Sequence, residues 1–210
     1  MNDKSAKRRL IVTISSMCVA FIAVVCSVVA IFAARNQGVQ TMFRVTYKAS
    51  NVAATVSANY KVGSETPVSL GSLKIEAGAQ QTVYDELSTD KEIELSDTKD
   101  TVVFQYIFKN DSSSVGIKLK LVDNAAKKNV GVSYAYATAA DGTLTYAASL
   151  PEITIDPYKA ANVEEGTPEE GVVYVYIRVK ITNIADDASY IADETNTILW
   201  SLEADVPASS

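Results

Sequence analysis

The chain has no histidine at all and only two cysteines among 210 residues. Without histidine there is no Ser-His-Asp or Cys-His nucleophile pair, no His-ligated zinc and no imidazole acid–base group. Both cysteines, Cys18 and Cys26, fall inside one apolar stretch, so the polar remainder has neither a disulfide nor a metal thiolate. A lipid-modified cysteine needs a small residue just before it, and Met17 and Val25 stand there instead. Basic charge is also short, with 19 Lys and Arg against 25 Asp and Glu. A net charge of -6 gives no basic face for phosphate, so no nucleic-acid partner is expected. No G-x-x-x-x-G-K-[ST], G-x-G-x-x-G or G-x-S-x-G pattern occurs, and no cofactor is expected.

What is present divides unevenly. Leu10 to Ala34 carries no charged residue, and Lys4, Lys7, Arg8 and Arg9 precede it. As a helix this run is about 37 Å long, enough to cross a bilayer, with the basic cluster on the cytoplasmic side. A cleaved signal peptide, an uncleaved anchor and a buried core helix all fit such a run. Ala33 and Ala34 supply the small residues for signal-peptidase cleavage, with Phe32 at −3 for a cut after Ala34. The expected organisation is therefore a signal peptide or transmembrane anchor over 1–34 and an extracellular domain over 35–210. Four of the 19 basic residues and one of the 25 acids lie in the head, leaving 15 against 24 in the body, a net of −9.

Within the body the apolar period becomes two. Phe43, Val45 and Tyr47 alternate with Arg44, Thr46 and Lys48, and Val52 to Val62 alternates without a break. Val102, Phe104, Tyr106 and Phe108 repeat the pattern. So do Ile117 to Leu121, Val130 to Tyr136, Ile153 to Ile155, Val172 to Ile181 and Ile198 to Ala204. Strict alternation marks half-buried strands. Turn residues separate them at Gly63–Pro67, Asn110–Ser114, Asp141-Gly142 and Glu164–Gly171. Eight or nine short strands with no amphipathic helix predict an all-β sandwich. The polar stretch 77–98 fits a short helix or a long connection.

Few groups suggest chemistry. The acid pairs Glu164-Glu165, Glu169-Glu170, Asp186-Asp187 and Asp193-Glu194 fit a calcium site or a solvated loop, and no D-x-D-x-D-G loop accompanies them. Asn110-Asp111-Ser112 fits both a glycosylation acceptor and a plain turn. Tyr174 and Tyr176, beside Arg178 and Lys180, form either an exposed contact row or one side of a strand covered on both faces.

Three segments in order resemble a known family. They are Ile31-Phe32-Ala33-Ala34-Arg35-Asn36, the run Leu95 to Leu119 containing Phe104-Gln105-Tyr106-Ile107-Phe108-Lys109-Asn110, and the terminal strand Asn196 to Ala204. Together they resemble the TasA/camelysin-like family, whose members are exported by a dedicated signal peptidase of the SipW type. The resemblance implies a jelly-roll-like β-sandwich preceded by one N-terminal hydrophobic helix. It also implies subunits that self-assemble into extracellular (biofilm) matrix fibres by donor-strand exchange. Carried onto this chain, the donor strand lies in Arg35–Lys48, with Phe43, Val45 and Tyr47 as donor-strand contacts. Some family members carry a metalloprotease label, which a chain without histidine or H-E-x-x-H does not support, so no enzyme is expected. The expected partner is the chain itself, with the membrane added through residues 10–34 if that segment stays uncleaved. The alternative function is a membrane-anchored binding module, for example one that binds carbohydrate.

Overall fold

The computed structural model describes residues 38–39, 45–78, 80–84, 93–95, 99–161, 169–183, 188–192 and 196–205. Strands form where β-branched and aromatic residues alternate with polar ones, because the pleat sends successive side chains to opposite faces. In chain order they are β1 (Gly38–Val39), β2 (Val45–Ser50), β3 (Ala54–Val62), β4 (Val68–Ile75), β5 (Gln80–Tyr84), β6 (Ile93–Glu94) and β7 (Thr101–Asn110). There follow β8 (Gly116–Asp123), β9 (Ala126–Lys128), β10 (Val130–Ala137), β11 (Ile153–Ile155), β12 (Val172–Ile181), β13 (Ser189–Ile191) and β14 (Ile198–Asp205). The described residues contain no helix, and none of them could cross a membrane as one. The apolar run 10–34, its boundary with the body, and Ala33, Ala34 and Phe43 lie outside the described residues.

Two five-stranded sheets carry the body. One runs β10-β12-β7-β3-β4 and the other β11-β8-β14-β2-β5, and two small pairs, β1-β6 and β13-β9, accompany them. Every pairing is antiparallel except β2 with β14, where Tyr47 lies opposite Trp200 in parallel. The sheets face each other across one apolar core. On β7, Val102, Phe104, Tyr106 and Phe108 are fully buried, and from the other sheet Ile198, Trp200 and Leu202 meet them. The Trp200 ring stands edge-on to Phe108 at 4.8 Å and tilted to Tyr106 at 5.4 Å, preferred geometries for aromatic pairs.

Several expectations are refined. The long alternating run begins as a strand at Ala54, because residues 51–53 carry the chain from one sheet to the other. Asn51 there has φ +53 and donates its N–H to Gly78 O at 2.9 Å. The stretch 77–98 contains two strands, β5 and β6, and no helix among its described residues. The Asp141-Gly142 turn returns the chain to β10 only through a single bridge, Tyr134 to Ala147. Ala147-Ala148-Ser149 ahead of Pro151 lacks the β-branched residues a second strand needs.

The second face of β12 is covered at Tyr176 and only partly at Tyr174 and Arg178, while Lys180 is exposed. Tyr176 is only 9% exposed, and Ala135 and Ala137 beside it are buried on that same side. The segment after β10 lies there, with the Tyr146 ring 3.9 Å from the Arg178 guanidinium. Tyr176 is further held by Gln105 Nε2, which donates to its hydroxyl at 2.8 Å, while Asn59 Nδ2 donates to Gln105 Oε1. The Tyr176 ring is therefore packed and hydrogen-bonded within the fold, whereas Tyr174 stays partly exposed.

Asn110 resolves the glycosylation question the same way. Its side chain is fully buried, and Nδ2 donates to Val115 O and Ile155 O. Its Oδ1 accepts the Ser112 N–H. An amide held on both sides by the fold has no room for a glycan, so this segment is a turn.

Candidate functional site: the β2 slot and its polar neighbour

The residue pattern points to the N-terminal strand first. β2 lies between β14 and β5, with Tyr47 opposite Trp200 on one side and Val83 on the other. Its apolar side chains alternate inward: Tyr47 is fully buried and Ala49 nearly so, followed by Val52 in the link. Thr46 and Lys48 face outward. Of the three expected contact residues, Tyr47 sits in the core of its own chain, Val45 opens β2, and Phe43 lies outside the described residues.

Beside this slot is a polar cluster that alternation cannot reveal, since it joins residues from four strands. Asp123 ends β8, and its carboxylate is almost wholly buried. Its Oδ2 accepts the hydroxyls of Tyr134 at 2.5 Å and Tyr190 at 2.8 Å. Its Oδ1 accepts the Ala125 N–H at 2.9 Å, and Lys127 Nζ lies 3.3 Å from Oδ2. The group thus ties β8 of one sheet to β10 of the other and to both strands of the β9-β13 pair. A buried carboxylate is tolerable only when its lone pairs are satisfied, and four donors surround this one. A signal was present in the sequence only as an acid, Asp123, closing an otherwise apolar-alternating strand.

The phenols near this carboxylate are shifted in one direction. Burial, then the neighbouring Tyr47 and Asp123, holds Tyr106 well above the ordinary phenol range. Burial and the charge of Asp123 raise Tyr190, and burial with the hydrogen bond to Asp123 raises Tyr134. In the unfolded chain these phenols ionise near pH 10. Their stabilising share is therefore complete below about pH 10 and declines as pH climbs toward the raised native values, because the unfolded state sheds protons that the folded state keeps. Urea midpoints measured from pH 8 to 12 should stay level and then fall. Tyr190→Phe should make that fall shallower, and an unchanged slope would remove Tyr190 from this account.

Among the described residues the acids outside this cluster are surface groups. Glu170 pairs with Lys159 at 2.7 Å, and Asp100 with Lys180 at 3.2 Å. The pairs Glu164-Glu165, Asp186-Asp187 and Asp193-Glu194 lie outside the described residues. Among the described residues no three acids or cysteines gather as a metal site. No protein-family model, curated protein or solved structure matches the chain.

Proposed function

We propose that this protein is an exported structural subunit, with no enzymatic role, that self-assembles at the cell surface or in the extracellular matrix. In this reading residues 1–34 direct passage through the plasma membrane as one hydrophobic helix, cleaved after Ala34. Residues 35–210 form a jelly-roll-like β-sandwich, and subunits join when the N-terminal strand of one fills the slot of the next. The observation that carries the reading is the position of β2. It occupies an interior place in its sheet, yet only residues 51–53 connect it to β3. A strand held on both edges but joined through a short link can be exchanged for the same strand of another copy, with every backbone bond remade. Asn51, with its left-handed φ of +53, is the natural place for the chain to change direction.

Lys48 and Ser201 are direct partners on the outward face of the β2-β14 pair. Lys48→Cys with Ser201→Cys, in a chain whose Cys18 and Cys26 are alanine, pins β2 to its own β14 when oxidised. Under reducing conditions electron microscopy should show fibres, and after oxidation it should show none. Equal assembly in both states rules out β2 exchange, and failure of the reduced and wild-type chains to assemble rules out the fibre role. Mass spectrometry of the exported product should begin at Arg35. An intact N-terminus in the membrane fraction would favour an anchored module.

A further inference from the structure

A cleft of about 550 Å3 lies between the segment after β10, the end of β11 and the start of β12. That volume falls within the range of small-molecule sites. Thr138 stands on one wall, Thr154 and Asp156 on the second, and Glu169, Glu170 and Tyr174 on the third. The polar lining is thus hydroxyl and carboxylate, with one aromatic ring and no Lys or Arg. Carboxylates accept hydrogen bonds through two oxygens each, threonine hydroxyls both donate and accept, and a phenol ring offers a flat apolar face. A ligand complementary to that set supplies several hydroxyls on a compact frame with a C–H face, which is the chemistry of a sugar ring.

The lining is also held in place. Tyr158 donates its hydroxyl to Glu169, and Lys159 Nζ holds Glu170 at 2.7 Å. Tyr158 is itself fixed, since its N–H donates to Asn110 O and Lys109 Nζ sits 3.7 Å above its ring. Gly171 has φ +76, and a Cβ there would come within 2.5 Å of Tyr158 Cα, so the two segments approach as only glycine allows. Acceptors oriented before the ligand arrives lose less entropy on binding. Three acids with one offsetting lysine leave the cleft negative, which disfavours an acidic ligand.

We propose that this cleft binds a non-acidic saccharide, with Asp156 and Glu169 accepting from its hydroxyls, Thr138 and Thr154 completing the polar contacts, and Tyr174 lying against a ring face. This goes beyond the assembly reading and does not depend on it. The test is ligand-observed NMR on the full-length chain in a sugar-free detergent. The probes are cellobiose, the disaccharide of N-acetylglucosamine, a glucuronate-containing disaccharide and putrescine. One of the first two should bind with Kd of about 1 mM or tighter. Asp156→Asn and Thr154→Val, both exposed and checked for fold by Trp200 fluorescence, should each weaken binding about fivefold, the share of one hydrogen bond. The proposal is overturned if neither neutral disaccharide binds at about 10 mM. It is equally overturned if the glucuronate disaccharide binds as well, if only putrescine binds, or if both folded variants keep wild-type affinity.

Discussion

Asp123→Ala should lower the stability of the body by roughly 2–4 kcal/mol, from about 1–3 kcal/mol for each buried donor deprived of its acceptor. The carboxylate receives two phenol hydroxyls and a backbone N–H, and its side chain is 4% exposed. Tyr190 is fully enclosed and Tyr134 is only 7% exposed, so neither phenol readily exchanges its lost acceptor for water. Lys127 is one-third exposed and loses little, because a partly solvated ammonium keeps most of its hydration. Asp123→Asn keeps one carbonyl acceptor of similar shape and should lose about half as much. Urea unfolding followed by Trp200 emission measures both, since Trp200 is the single tryptophan and is fully buried. A change below about 0.5 kcal/mol, the size of an ordinary surface substitution, would show that the cluster does not join the sheets.

The larger effect belongs to Trp200→Ala, at about 3–5 kcal/mol. Trp200 is the third residue of β14 and fills the space between the sheets against Tyr106 and Phe108. Truncation removes the largest fully buried side chain and leaves a void that the paired strands on both sides cannot close. Its indole Nε1 has no hydrogen-bond partner among the described residues, so the ring acts through packing alone. Trp200→Phe should therefore retain more than half of the stability lost with alanine, a comparison that far-UV circular dichroism melts can make without the tryptophan. Equal losses in the two variants would mean that the indole matters for something other than its volume.

The interior strands were legible from their alternation. Val102–Phe108 and Ile198–Leu202 read as single-sided faces, and those residues are the ones that meet across the core. The strands that escaped reading are those with little to bury. β4 has only Leu73 and Ile75 inside and is interrupted by Gly71 at φ +111, where the register against β3 slips. β9 and β13 are three residues each and exist because Asp123, Tyr190 and the adjoining chain bring them together. Likewise, the cover over Tyr176 comes from an irregular segment far along the chain, which periodicity cannot report. The Asp123 cluster and the cleft both draw residues from separate strands, so each depends on tertiary register, whereas the candidate contact strand was legible because it is local.

The parallel pairing of β2 with β14 has a consequence for the order of folding. Eleven described strands lie between the two in sequence, so β2 forms early in synthesis while its central neighbour appears only with residues 198–205. Pairing between distant segments is slow because the loop-closure entropy is lost before the contact is gained. The first sheet can assemble from β3, β4 and β7 as they emerge, but the second stays split between β8 and β2 until β14 enters. Any chain stalled before residue 198 therefore exposes two unpaired strand edges and an unfilled aromatic core, and the entry of β14 is the step that joins β8 to β2 and completes the second sheet.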